Sequence, residues 1–314
     1  MLNFILKRSL LALPTLFLVS LMVFLLVRMI PGDPASVLLG EGADAASIAA
    51  INARLGLDQP LPVQFLIWVQ NLFRGDLGTS IITREPVLAL VFERFRLSAT
   101  IILLSVGVAA LIAVPLGILA AWKQDKGVDL LIVGLATLAL SIPSFWLGLM
   151  FLMYFGIDLG WAPVVGFVPF AEDPLKSLSY LALPVLTLGV IEVGVLTRMA
   201  RSSAIEVLRL EYISHAKAKG LSNRAVLLRH VLPNAFGPTL TLIGIVMGTL
   251  LGGIAVIETV FTLPGLGRLL VESIYQRDYP VVQGCLLMIA VGYVVLNLIV
   301  DLLYPIFDPR VTLD

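Results

Sequence analysis

Charge is scarce in this chain of 314 residues. Asp, Glu, Lys and Arg make up 13% of it, about half the share found in an ordinary soluble domain. The 21 basic and 21 acidic residues cancel, so no net basic field exists to attract nucleic acid. Cysteine occurs once, as Cys285. That excludes an internal disulfide, and within an apolar run it reads as a small buried hydrophobe. Histidine occurs twice, as His215 and His230. Neither has a neighbouring cysteine, which argues against a metal site. Neither lies in an apolar run, which argues against a hydrolase working at membrane depth. The dipeptide Gly-Lys is absent, so there is no P-loop and no ATP hydrolysis by that route. No internal repeat is visible, which weakens an inverted-repeat secondary transporter.

Apolar residues are what the chain has in excess, at 59% and a mean hydropathy of +1.01. A bilayer core needs about 20 predominantly apolar residues per helix. Six runs meet that need: Ser9–Val27, Leu97–Trp122, Leu130–Ile157, Ser177–Thr197 (interrupted only by Glu192), Phe236–Ile257 and Val281–Val300. The first is longer than a signal-peptide core and lacks a small-residue cleavage site directly after it, so it reads as a retained helix. The expected fold is therefore an all-α polytopic membrane protein with six transmembrane helices. With both termini inside, the inner segments hold twelve Lys/Arg in 63 residues, against nine in 109 outside. That asymmetry orients the chain N-in and C-in.

Two connections are too long to be simple links. The outer one, 31–95, starts at Pro31-Gly32-Asp33-Pro34, which stops the first helix. A short helix is expected over Asp44–Leu55, capped by Gly56. A second begins near Pro62, with Phe65, Trp68 and Leu72 as its apolar stripe, and Gly75-Asp76-Leu77-Gly78 is a turn. Trp68 suits an anchor in the membrane interface or a protein contact. The inner connection, 198–235, reads as a helix over Arg201–Lys219 closed by Gly220. A second short helix follows, capped by Ser222, running to His230 and stopped by Pro233. The chain thus divides into residues 1–30, the outer loop 31–95, helices two to six over 96–304, and a tail 305–314.

Ionisable groups at membrane depth are costly and default to function. Glu192, Glu258 and Asp301 qualify. Glu192 is expected to pair with Arg198, Asp301 lies near the inner end of the last span, and Arg28 and Arg198 can snorkel. Glu258 precedes Pro264-Gly265-Leu266-Gly267, so lining an outer gate and structural hydrogen bonding both stand open. Gly244, Gly248 and Gly252, at four-residue steps, form a small-residue stripe that permits close helix packing.

The segment from Ser214 to Pro233 resembles the EAA signature of ABC importer permeases, which is Glu-Ala-Ala, three residues, Gly, nine residues, Ile, one residue, Leu-Pro. Ala216, Gly220 and Leu232-Pro233 stand in register. Ser214 replaces the Glu, His215 the first Ala and His230 the Ile. Further segments are similar to the peptide/nickel-type permeases along the whole chain: Leu55–Leu61, Gly75–Gly78, Arg96–Thr100, Glu258–Phe261, Pro264–Arg268, Arg277–Val281 and Asp308-Pro309-Arg310. The likeness is to the first permease subunit of dipeptide, oligopeptide and glutathione importers. It implies a type I ABC importer permease fold in a bacterial inner membrane, for peptides or a peptide-like solute. Nickel-chelate or oligosaccharide cargo are the alternatives within the family. It implies a second, homologous permease as heterodimeric partner, two ATPase subunits that bind ATP and Mg, and an external solute-binding protein. No cofactor is expected in this chain. Ser214, His215, Ala216, Gly220, Leu232 and Pro233 would form the ATPase-coupling loop. Glu258, Phe261, Pro264 and Gly265 would form the pore or outer gate.

Overall fold

The computed structural model describes residues 2–29 and 58–307. The Pro31–Pro34 turn, the helix read at Asp44–Leu55 with its cap Gly56, and Asp308-Pro309-Arg310 lie outside the described residues. The described chain is nearly all helical. Its elements are α1 (Leu2–Met29), α2 (Leu61–Phe73), α3 (Val87–Trp122), α4 (Gly127–Ser141), α5 (Ser144–Phe151), α6 (Pro174–Leu208), α7 (Glu211–Ala218), α8 (Asn223–Val226), α9 (Leu232–Gly253), α10 (Ala255–Val260), α11 (Leu266–Tyr275) and α12 (Tyr279–Phe307). Wider π-helical turns at Leu152–Asp158 and Leu227–Val231 extend α5 and join α8 to α9.

Five stretches are long and apolar enough to cross a bilayer: Leu10–Met29, α3, α6, Asn223–Gly253 and Tyr279–Pro305. The run Leu130–Ile157 is not one straight span. Helix α4 and Ser144–Asp158 meet at 95°. Pro143 disfavours helical backbone at the residue before it, and Ile142 sits at φ −90°, ψ 124°. Counted as one span, the bent pair is the sixth.

Contacts divide the chain into two compact units. One comprises residues 1–9, 99–263 and 295–314; the other comprises 10–98 and 264–294. In the first, α6 packs against α9, α4 and α5. Asp173 caps α6 by accepting the Lys176 N–H at 3.0 Å, and Pro174 occupies the first turn, where no N–H is needed. Gly117 of α3 lies so close to α6 that a Cβ there would meet Ala200 Cβ at 2.6 Å and the Thr197 carbonyl at 2.8 Å. Only hydrogen lets these two backbones approach this closely.

In the second unit, Val87, Leu90 and Val91 of α3 bury against Leu266, Val281 and Cys285. Helix α2 packs on α1 through Phe65, whose ring lies 5.9 Å from Phe17 and 5.3 Å from Phe24. Pro62 stands in its first turn, and Gly75 (φ +76°) and Gly78 (φ +83°) form the following turn.

Candidate coupling site

Helix α6 outlasts its apolar run by eleven residues and ends at Leu208. The sequence reading of one helix over Arg201–Lys219 is corrected here. The chain turns at Arg209, and Leu210 is extended (φ −73°, ψ 141°) before α7 begins. Packing explains the break: Ala204 and Val207 from α6 and Ile213 and Ala216 from α7 all enter one buried cluster. Ala121 of α3, Val226, Val231 and Ala235 complete it.

This cluster splits the signature into two faces. Ala216 is buried among apolar neighbours, whereas Ser214, His215, Lys217 and Lys219 are exposed. The Lys217 ammonium lies 4.8 Å from the Trp122 ring centre, a cation–π distance. Gly220 takes φ +82°, a conformation that only glycine adopts freely. Two hydrogen bonds close the helix end there: Gly220 N–H to the Lys217 carbonyl at 3.0 Å and Leu221 N–H to the Ala216 carbonyl at 3.3 Å. That is the usual pattern of a left-handed helix terminus. Ser222 then caps α8, its Oγ accepting the Ala225 N–H at 3.3 Å.

Pro233 does not stop the helix after His230. Asn223–Gly253 is continuous, and Pro233 occupies the first turn of α9. The π turn over Leu227–Val231 absorbs the proline, since a wider turn relieves its clash and needs no α-type bond from its nitrogen. The Asn234 side-chain amide donates to the His230 carbonyl at 2.7 Å.

The expected Glu192–Arg198 pair does not form among the described residues. Six positions on a helix turn through about 600°, or 240° net, so the two side chains leave on different faces. Instead Arg201 makes a bidentate pair with Asp129 at the start of α4, Nε to Oδ1 at 2.6 Å and Nη2 to Oδ2 at 2.7 Å. The Asp125 N–H also donates to Asp129 Oδ2, at 2.9 Å. The sequence signal for this pair was a charge in the first turn of one span and another just past the end of the next. Spacing alone could not join them.

The proposed gate residues sit as follows. Glu258 in α10 is fully buried, and its carbonyl accepts the Leu263 N–H at 2.8 Å. Phe261 is buried, and a Cβ on Gly148 would lie 3.1 Å from its ring. Thr262 takes φ +53°, an uncommon conformation for a β-branched residue. Pro264 is half-buried and Gly265 buried. Ser98 reaches α11 and accepts the Leu266 N–H at 2.8 Å, while the Pro264 carbonyl accepts from Arg94 Nη1 at 3.2 Å. Asp278 is buried; it accepts from Ser80 Oγ and from the Ile81 N–H at 3.2 Å, tying the Ser80 turn to the start of α12. Sequence reasoning did not single out Ser98 or Asp278, although both lie in or beside the quoted motifs.

Of the glycine stripe, Gly244 faces α12, where a Cβ would meet Val300 Cγ2 at 2.7 Å. Gly248 is buried. Gly252 has nothing within 4 Å of a Cβ position.

The helical spans define a multi-pass membrane protein. The family model described as the binding-protein-dependent transport system inner membrane component matches residues 113–313, and the model for the N-terminal part of such membrane components matches residues 1–104. The chain belongs to this family. It is 42% identical, over 99% of both chains, to a peptide transport system permease protein of Brucella suis biovar 1. The glutathione transport system permease protein GsiC of Salmonella typhimurium shows the same 42% identity over 99% of both chains. Among solved structures, the inward-facing MetNI methionine ABC transporter matches with a TM-score of 0.57 at 16% identity, covering 69% of this chain and 96% of that one. An amino acid ABC transporter crystallised with histidines matches with a TM-score of 0.50 at 17% identity, covering 71% and 94%. These two likenesses establish the fold. The chain is a multi-pass membrane permease of the ABC importer type.

Proposed function

We propose that the chain forms half of the translocation pore of an importer for peptides or a peptide-like solute, glutathione included. The full-length identity to relatives named for those solutes supports this reading. A second, homologous permease supplies the other half, and a solute-binding protein delivers the cargo from outside. Two ATPase subunits bind ATP and Mg and drive the cycle. Their docking surface is the exposed face of α7 and the turn after it: Ser214, His215, Lys217, Lys219 and Gly220. The observation that carries this assignment is the split of α7 into a buried face, held by Ile213 and Ala216, and a free polar face. A helix packed so firmly moves as one body with α6 and transmits a push from below. The chain lies in a bacterial inner membrane with both termini inside, as the Lys/Arg asymmetry directs.

Proteoliposomes holding the complete complex provide the test. Uptake of a labelled dipeptide is expected to require ATP on the α7 side and the binding protein on the other. Uptake driven by a proton gradient without ATP would refute the reading in favour of a secondary transporter. For orientation, Glu85→Cys should react with an impermeant thiol reagent from outside intact cells and Arg224→Cys should not. The native Cys285 is buried and silent. The opposite labelling would invert the topology.

A further inference from the structure

The second unit holds a cavity of about 280 Å³ at the end of α1. Two guanidinium groups line it, Arg28 and Arg84, and so do Tyr279 and Gln283. Tyr279 and Gln283 are only 5% and 7% exposed. The Tyr279 hydroxyl and Gln283 Nε2 are nonetheless buried with no hydrogen-bond partner among the described residues. Neither atom is open to the cavity, so the oxyanion-binding groups there are Arg28 and Arg84, two cations in one small space. On the same rim stand Asp76 and Trp68. Asp76 Oδ1 accepts the Gly78 N–H at 2.8 Å; its carboxylate and the Trp68 ring are the groups on this rim that attract a cation.

Below this cavity, the same face of α1 lines a groove without polar surface. Phe17, Leu21, Phe24 and Leu25 face it from α1, and Leu61 and Phe65 from α2. Positions 17, 21, 24 and 28 recur at helical spacing, so Arg28 tops the same stripe. Its guanidinium stacks 4.4 Å from the Phe24 ring centre, and its Nε donates to Gln64 Oε1 at 3.0 Å, which fixes its direction. The face of α2 that does not meet α1 is apolar and exposed, up to 87% at Phe73. A helix of this kind lies in the lipid interface.

We propose that this cavity and groove bind one outer-leaflet phospholipid with a zwitterionic amino headgroup. The phosphate sits between Arg28 and Arg84. The ammonium sits by Asp76 and Trp68, and an acyl chain follows the groove along α1. The leaflet rests on the N-in orientation proposed above; the binding itself does not.

The purified complex, exchanged into nanodiscs of equal phosphatidylethanolamine, phosphatidylglycerol and phosphatidylcholine, is stripped with mild detergent and analysed by native mass spectrometry. One phosphatidylethanolamine per chain is expected to remain. Arg28→Gln and Arg84→Gly each should cut that retention at least tenfold. Glycine is chosen at 84 because Arg84 holds φ +63°, so the turn survives. Arg229→Ala, on the inner loop, should leave retention unchanged, and thermal unfolding of each variant checks its folding. Retention of phosphatidylglycerol alone, no retained lipid, or retention indifferent to both variants would each overturn the proposal. So would displacement of the lipid by inorganic phosphate or free dipeptide, which would make the cavity a site for a soluble anion.

Discussion

Replacing Asp129 by Asn tests how the inner end of the molecule is held. The substitution keeps shape and removes the charge. Asp129 is 2% exposed and Arg201 25% exposed at the side chain, so Arg201 would be left largely desolvated beside a neutral amide. Breaking a buried ion pair by removing one partner costs about 3–5 kcal/mol. Because Arg201 retains some access to solvent, the low end applies, about 3 kcal/mol, or roughly a hundredfold in the unfolding equilibrium. Arg201→Met alone should cost about as much, since it strands the carboxylate. The double variant Asp129→Leu/Arg201→Met strands neither, and apolar replacement of such pairs is often neutral. It should therefore be more stable than either single variant. The assay is unfolding in mixed micelles followed by tryptophan fluorescence, with Asp129→Leu added as a single variant so that the double-mutant cycle with Arg201→Met closes. A coupling energy of about 2–3 kcal/mol is expected. A coupling below about 0.5 kcal/mol, the range of independent sites, would refute the claim that this pair fastens α4 to α6.

Two further outcomes follow from the glycines. Gly220→Val should insert and fold but lose coupling between ATP hydrolysis and uptake. Nothing lies within 4 Å of a Cβ at this position, so the whole cost, about 1–2 kcal/mol, comes from the left-handed backbone. Gly220→Asn should restore most of the coupled rate, and equal ATPase and uptake in the valine variant would dissociate this turn from coupling. Gly117→Leu should lower the yield of folded protein severely, because its Cβ meets α6 backbone, whereas Gly252→Ala should leave thermal stability within about 0.5 kcal/mol. Equal effects at the two sites would mean that the close crossing of α3 and α6 does not matter.

The inner site was legible where local chemistry dictates it. Gly220 closes a helix and Ser222 opens one, because a positive φ and an orphan N–H are needs that only a few residues meet. The two faces of α7 followed from the spacing of Ile213 and Ala216 only after the break at Leu210 was known. That break depends on where the buried cluster pulls Val207 and Ile213, which no local pattern encodes. The Asp129–Arg201 pair joins residues 72 positions apart, and the nearer candidate, Glu192 with Arg198, was the more tempting choice on sequence spacing.

Composition by itself determined that this chain lives in a bilayer. With so little charge and so many apolar residues, helices that satisfy their own backbone were the available solution. The hydropathy runs also located the spans. What they left open was the fate of each proline. Pro14, Pro115, Pro184 and Pro238 all lie inside continuous helices, Pro233 begins one after a π turn, and Pro143 bends its span by 95°. Each proline removes the same donor and imposes the same ring. Whether the helix continues depends on whether surrounding helices hold it straight or leave the preceding residue free to become extended, and that is decided by tertiary packing alone.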